Sequence, residues 1–199
     1  MSGASPEANT FARAFLRRRL HYRHDIAEAA ARAVEKMGGV GSFAAFHIRR
    51  NDLQYKHVFV EASTSLKNAG DALRPGETVY LATDETLPEF FRAFEERGHK
   101  VVRFKDVADV AMRGLEPKLM GHVEQFICSG ARVFFGTSMS TFSTYIVRLR
   151  HYAFDGDGGG RGGVDGTPAI DLECRFHDNP AHHCGLAFAA SDAGFAPGL

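Results

Sequence analysis

Three short polar clusters, each following an apolar run, carry the side chains best suited to chemistry in this chain. The first is His47-Ile48-Arg49-Arg50-Asn51-Asp52, in which two adjacent cations stand between a histidine and an aspartate. The second is Thr83-Asp84-Glu85, and the third is Gly136-Thr137-Ser138-Met139-Ser140-Thr141-Phe142-Ser143. In the third, a hydroxyl-rich turn follows a glycine and opens a helical pattern. Hydroxyls and backbone N–H groups there converge with the positive end of a helix, an arrangement that binds phosphate. An arginine from the first cluster adds a permanently charged, planar fork that matches phosphate oxygens in pairs. Taken singly, each cluster reads more simply as helix capping or surface ion pairing. Two of them on neighbouring strand ends favour a shared anion site.

For the clusters to meet, the chain must supply strands whose carboxyl ends lie on one edge. Ser42–Ile48, Thr78–Ala82, Lys100–Phe104 and Arg132–Phe135 are short apolar runs without clear polar alternation, the pattern of strands buried on both faces of a parallel sheet. Helical segments lie between them. Apolar residues from Phe15 to Met37 recur at spacings near three and four before Gly38-Gly39. Thr86-Leu87-Pro88-Glu89 reads as a helix start with a capping threonine, and Arg97-Gly98 as its end. Leu119–Cys128 and Thr141–Tyr152 are two more helices. This alternation predicts a doubly wound parallel α/β sheet, whose ligands sit beyond the carboxyl ends of the strands. The expected organisation is a helical leader over residues 1–41, the α/β domain over 42–154, and a glycine-rich loop with an irregular tail over 155–199.

The bulk composition fits this picture. The 199 residues suffice for one well-buried core, and 44% hydrophobic with 24% charged residues is ordinary for a globular chain. With 24 basic and 24 acidic residues the formal net charge is zero, so a nucleic-acid binder relying on a global positive field is not expected. Arg17-Arg18-Arg19 reads as a solvated helix face. No apolar window reaches the length of a membrane span and the N-terminus lacks a secretory apolar region, so the chain as written reads as soluble. Three cysteines are too few for a disulfide framework.

The ordered set His47-Ile48-Arg49-Arg50-Asn51-Asp52, Tyr80-Leu81-Ala82-Thr83-Asp84, Val123-Glu124-Gln125-Phe126-Ile127-Cys128 and Phe135-Gly136-Thr137-Ser138-Met139-Ser140-Thr141-Phe142-Ser143 resembles the GDP-fucose protein O-fucosyltransferases. The likeness is strongest to the branch that modifies thrombospondin-type repeats and more remote to the α1,6-fucosyltransferases. It covers roughly residues 42–150, and the combination is far more specific than any one piece. It implies the C-terminal, Rossmann-like lobe of a two-lobed GT-B glycosyltransferase, which binds GDP-fucose without a metal or other cofactor and works in the lumen of the ER or Golgi. The implied partners are GDP-fucose, a protein or glycan acceptor, and an N-terminal lobe with no equivalent here beyond the helical leader.

By motif position the resemblance implies that Arg49 holds the β-phosphate and stabilises the departing GDP, the catalytic role. Thr137, Ser138, Ser140, Thr141, Phe142 and Ser143 form the turn that clasps the phosphates, and His47 contacts the nucleotide. Glu124 stands where related enzymes usually have an aspartate that pairs with the guanine N1 and N2 donors; a glutamate keeps the carboxylate and moves it by one methylene. Arg50 and Asp52 read as supports, the aspartate offsetting the second cation. Asp84 either lines the nucleotide cleft or caps the following helix.

No general base is assigned; at the position used by the α1,6 enzymes stands His57, and the nearest carboxylate is Glu61. Two readings from other classes stand beside the transferase, namely a catalytically incomplete nucleotide-sugar-binding module and an unrelated α/β phosphate-ester enzyme. Weaker signals are Asp155-Gly156-Asp157 and the glycine run 158–163, which lack a preceding strand. Cys174, His177, His182, His183 and Cys184 have zinc-ligand types without zinc-site spacing. The resemblance favours a Cys174–Cys184 pair instead, and Cys128 reads as core.

Overall fold

A computed structural model describes residues 22–51, 54–55, 59–154 and 174–183. The four apolar runs are strands: β1 (Phe43–Ile48), β2 (Thr78–Thr83), β3 (Lys100–Arg103) and β4 (Val133–Gly136). Helices α1 (His24–Lys36), α2 (Ala62–Ala69), α3 (Pro88–Glu96), α4 (Phe104–Ala111), α5 (Met120–Ser129) and α6 (Thr141–Phe154) fill the intervals. Two further strands, β5 (Cys174–Phe176) and β6 (Asn179–His183), complete one sheet of order β3-β2-β1-β4-β5-β6. The first five strands are mutually parallel and β6 runs antiparallel to β5. The doubly wound α/β expectation therefore holds.

The pleat sends alternate residues of the central strands to two cores. Phe43, Ala45, Tyr80, Ala82 and Phe134 meet one set of helical residues, including Ile26, Ala30, Val107, Val123, Ile127 and Ile146. Ala44, Phe46, Ile48, Val79, Leu81 and Phe135 meet Leu66, Phe90, Phe91 and Phe94 of α2 and α3. Both faces are covered, which is why these strands show no polar alternation.

Four expectations need correction. The helical leader is, where described, an integral layer: Ile26, Ala29, Ala30, Ala33 and Val34 of α1 are buried in the first core. The irregular tail is broken by β5 and β6, which extend the sheet beyond β4. The helix after β2 takes Leu87, not Thr86, as its N-cap and has no side-chain capping bond; Glu85 Oε1 instead accepts the N–H groups of Thr86 (2.7 Å) and Leu87 (2.9 Å) in the approach to it. Phe104, read as the end of β3, instead opens α4, because Asp106 reaches back to the Arg103 N–H at 2.8 Å and turns strand directly into helix.

On the far edge of the sheet, the buried pair Arg132 and Glu77 joins the approaches to β4 and β2 through two 2.7 Å bonds. The fully buried Arg150 of α6 donates to the carbonyls of Ser129, Ala131 and Arg132, closing the end of α5. These clamps leave the carboxyl edge to function.

Candidate functional site

The chain runs β1 to β2 to β3 on one side of β1, then returns to place β4 on the other side. Between β1 and β4 the winding therefore reverses, and such a switch point opens a crevice at the carboxyl ends of the strands. The first and third sequence clusters flank that crevice, and the second adjoins it at the end of β2.

Thr137 is the joint. Its buried hydroxyl donates to the His47 carbonyl at 2.8 Å and accepts the Arg49 N–H at 3.1 Å, so the two strand ends share one side chain. Ser143, also buried, accepts the Thr137 N–H through its hydroxyl at 2.9 Å and contacts His47 Nδ1 at 2.7 Å. Gly136 permits this approach, since a Cβ there would meet Ser143 Cβ and Oγ at 3.0 Å. The Phe142 ring stacks on His47, with centroids 4.5 Å apart and planes 24° apart.

Burial, with the nearby Arg49 charge among the lesser causes, pushes the His47 pKa down to about 3, so the ring is neutral at physiological pH. Because Ser143 Oγ already accepts from Thr137, its own proton is best used on His47 Nδ1, which leaves the ring hydrogen on Nε2. No described residue takes up that Nε2 donor.

Arg49 and Arg50 point to different surroundings. Arg50 donates to the Val60 carbonyl at 3.1 Å, lies 3.3 Å from buried Glu85 and 3.4 Å from exposed Glu61, and sits over the Phe90 ring. Its side chain is 19% exposed, against 37% for Arg49, whose Nε lies 3.5 Å from Asp84. The expected support role of Arg50 thus has a geometry, but the carboxylates seen beside it are Glu85 and Glu61. Asp52 and His57 lie outside the described residues.

Asp84 neither caps α3 nor stands alone in the crevice. Its carboxylate accepts the backbone N–H groups of Arg50 (2.8 Å) and Asn51 (3.0 Å), and the Asn51 amide donates back to the Asp84 carbonyl. It is the latch that fixes the backbone carrying both arginines.

In the turn, Met139 adopts a left-handed backbone (φ 62°) with its side chain exposed, and Ser140 is buried. The helix ladder begins with the Thr144 N–H on the Ser140 carbonyl at 3.0 Å, so the first-turn N–H groups of Thr141 and Phe142 have no acceptor among the described residues. Ser138 faces away from this helix start: its N–H (2.9 Å) and hydroxyl both go to the carboxylate of Asp178.

Glu124 lies on α5 three residues after Gly121, whose Cβ would lie 3.6 Å from the Phe142 ring, so α5 packs beside the start of α6. Tyr80 donates to its Oε1 at 2.9 Å, while no described residue engages Oε2. Burial raises the Glu124 pKa to about 7, only partly offset by that hydrogen bond.

Sequence reasoning placed Glu85 in the second cluster without a role, and missed Ser65 and Asp178 together with the actual role of His177. His177 is buried, contacting Thr137 Oγ1 through Nε2 (2.9 Å) and Ser65 Oγ through Nδ1 (2.8 Å), so each ring nitrogen that could have ligated zinc is already hydrogen-bonded. The acidic and glycine-rich signals at 155–163, the arginines at 17–19 and Cys184 lie outside the described residues; Cys128 is buried. No described helix is long and apolar enough to cross a membrane.

Compared with known proteins, the chain matches the family model for GDP-fucose protein O-fucosyltransferase over residues 6–153. No curated protein sequence matches it. Among solved structures it is similar to POFUT1 in complex with GDP, at 16% sequence identity and a TM-score of 0.44 over 69% of this chain. The match spans 47% of the POFUT1 chain, less than half its length.

Proposed function

The chain belongs to the GDP-fucose protein O-fucosyltransferase family, and from that premise we propose that its carboxyl-edge crevice holds GDP-fucose and serves transfer of fucose to a hydroxyl of a protein or glycan acceptor. The observation that carries this reading is the joint at Thr137, which ties the backbone of Arg49 to the hydroxyl-rich turn at the β1/β4 switch point.

In this reading the diphosphate lies between the Arg49 guanidinium and the N–H groups opening α6. As the bond from the sugar carbon to the diphosphate breaks, negative charge grows on the β-phosphate. A preorganised arginine fork and helix end stabilise that charge more than they stabilise the ground state. The same two features supply the positive charge that a divalent ion provides elsewhere, so transfer is metal-independent. The neutral His47 donates Nε2–H to the nucleotide without adding charge, and Glu124, whose carboxyl titrates near neutrality, is drawn into its ionised form as it accepts the guanine N1 and N2 hydrogens.

The acceptor oxygen forms its bond to the sugar carbon on the face opposite the leaving diphosphate, inverting that centre and giving its proton to a base. Glu61, the carboxylate nearest in sequence to His57, lies 3.4 Å from Arg50 at the start of α2. Asp84, beside Arg49, is held by two backbone N–H groups. These engagements favour, as a second reading, a nucleotide-sugar-binding module that does not complete transfer unaided.

A thermal-shift panel in EDTA separates the possibilities. GDP and GDP-fucose should raise the melting temperature while UDP, ADP and simple phosphate esters do not. A shift with a simple phosphate ester and none with GDP would contradict the donor assignment. Turnover of GDP-fucose in the presence of acceptor then distinguishes the enzyme from the binding module.

A further inference from the structure

The turn that follows β5 sits beside the turn that follows β4, and register makes this unavoidable. Gly136 pairs with Phe176, so the next residues, Thr137 and His177, leave the sheet side by side, followed by Ser138 and Asp178. The His177 N–H donates to the Gly136 carbonyl at 3.0 Å, continuing the ladder past the strand ends.

The side chains exploit that placement. Thr137 Oγ1 gives its only proton to the His47 carbonyl, so its contact with His177 Nε2 requires the hydrogen on the histidine. Nδ1 is then an acceptor for the Ser65 hydroxyl, and burial keeps the ring neutral by lowering its pKa to about 4. Asn68 donates to the His177 carbonyl at 2.7 Å, so α2 holds the histidine at two points. One residue along, the Asp178 carboxylate takes both the N–H and the hydroxyl of Ser138. Immediately beyond that anchor the chain enters the left-handed conformation at Met139 and then the first turn of α6.

We infer that His177 and Asp178 are positioning residues for the donor-phosphate turn: the histidine fixes Thr137, the aspartate fixes Ser138, and together they aim the N–H groups of Thr141 and Phe142 into the crevice. The inference rests on the donor reading above. It assigns the β5–β6 turn a part in nucleotide binding although neither residue touches the nucleotide. It also separates the hydroxyls of the turn: Ser138 is an anchor, whereas Ser140 and Thr141 remain on the ligand side.

A competing role for Asp178 would be that of an anion occupying a phosphate seat, and two substitutions distinguish the roles. Asn keeps one carbonyl for the Ser138 N–H and reverses the second hydrogen bond, whereas Ala removes both. GDP titration should show Asp178→Ala binding about tenfold more weakly than wild type, as expected for loss of hydrogen-bonded preorganisation, with Asp178→Asn within about threefold. Hydrogen exchange should show Ser138 protection lost in Asp178→Ala and retained in Asp178→Asn. Should Asp178→Ala fail to fold, Asp178→Ser, too short to make both bonds, carries the same expectation.

Tighter GDP binding by both variants would overturn the inference in favour of a competing anion. Unchanged affinity together with unchanged Ser138 protection would overturn it in favour of a turn that holds itself. A wild type that binds no guanine nucleotide would instead overturn the donor reading, and the exchange measurement would still decide whether Asp178 holds the turn.

Discussion

Asp84 grips Arg50 by its main chain and not by its charge: the carboxylate accepts the Arg50 N–H at 2.8 Å, while the guanidinium turns away to Glu85 at 3.3 Å. Two neighbouring cations are thereby separated. Arg49 keeps the side nearer the crevice, with its Nε 3.5 Å from the same carboxylate, and Arg50 becomes a strut between α2, α3 and the end of β1.

That division predicts different outcomes for one conservative change. Arg49→Lys loses the planar fork and should abolish most donor use with little change in melting temperature. Arg50→Lys should keep GDP affinity within a few-fold but lower stability by about 1–2 kcal/mol, since its hydrogen bond and ring contact are lost. Paired GDP titrations and thermal melts check this, and equal losses of affinity in both variants would refute the division.

Acid stability follows from three buried groups. His47 and His177 fall in the folded state from the ordinary 6.5 to about 3 and about 4, so the unfolded chain binds more protons below pH 6.5 and stability is lost as pH falls. Glu124 rises from 4.5 to about 7, so its contribution runs the other way, weakening as pH rises through that range. Between about pH 4.5 and 6.5 two histidines oppose one glutamate, for a net loss approaching 1.4 kcal/mol per pH unit on acidification. Urea melts across this range should show that slope, and Glu124→Gln should make it roughly twice as steep. A slope that Glu124→Gln leaves unchanged would show that Glu124 does not titrate there.

Met139 offers a test of the turn itself. A non-glycine residue at φ 62° carries a left-handed penalty of about 1–2 kcal/mol, and its side chain is 60% exposed, so little packing offsets it. Met139→Gly should therefore be as stable as wild type or more so, whereas Met139→Val, β-branched in that conformation, should lose about 1–2 kcal/mol. Thermal melts with the opposite ranking would show that the left-handed turn is not held in solution.

Much of this was legible because the responsible signals are local. Buried parallel strands announce themselves as unbroken apolar runs, and Ser42–Ile48 and Arg132–Phe135 were sufficient to bring His47, Arg49 and the 137–143 turn to one edge. What stayed hidden depends on pairing between distant segments. Ile170-Asp171-Leu172-Glu173-Cys174-Arg175-Phe176 alternates with period two, a strand signal masked by the glycine-rich run before it, and only its pairing with β4 delivers His177 to Thr137. The role of Glu85 is not legible in the cluster it shares with Asp84, because a second adjacent carboxylate reads as one more surface acid, whereas in the fold Arg50 lies against it. Thr86 has the residue type of a helix cap, but the helix starts two residues later, with Leu87 as its N-cap and no side-chain cap, and the Thr86 N–H is itself bonded to Glu85.

The most direct test of the account is calorimetric titration of GDP into the wild-type chain and into Arg49→Ala, with ADP and UDP as controls. GDP should bind in preference to the other two nucleotides, and Arg49→Ala should lose about 1.5–3 kcal/mol of that affinity, the range for a charged hydrogen-bonded contact. Equal binding of all three nucleotides, or GDP binding indifferent to Arg49, would contradict it.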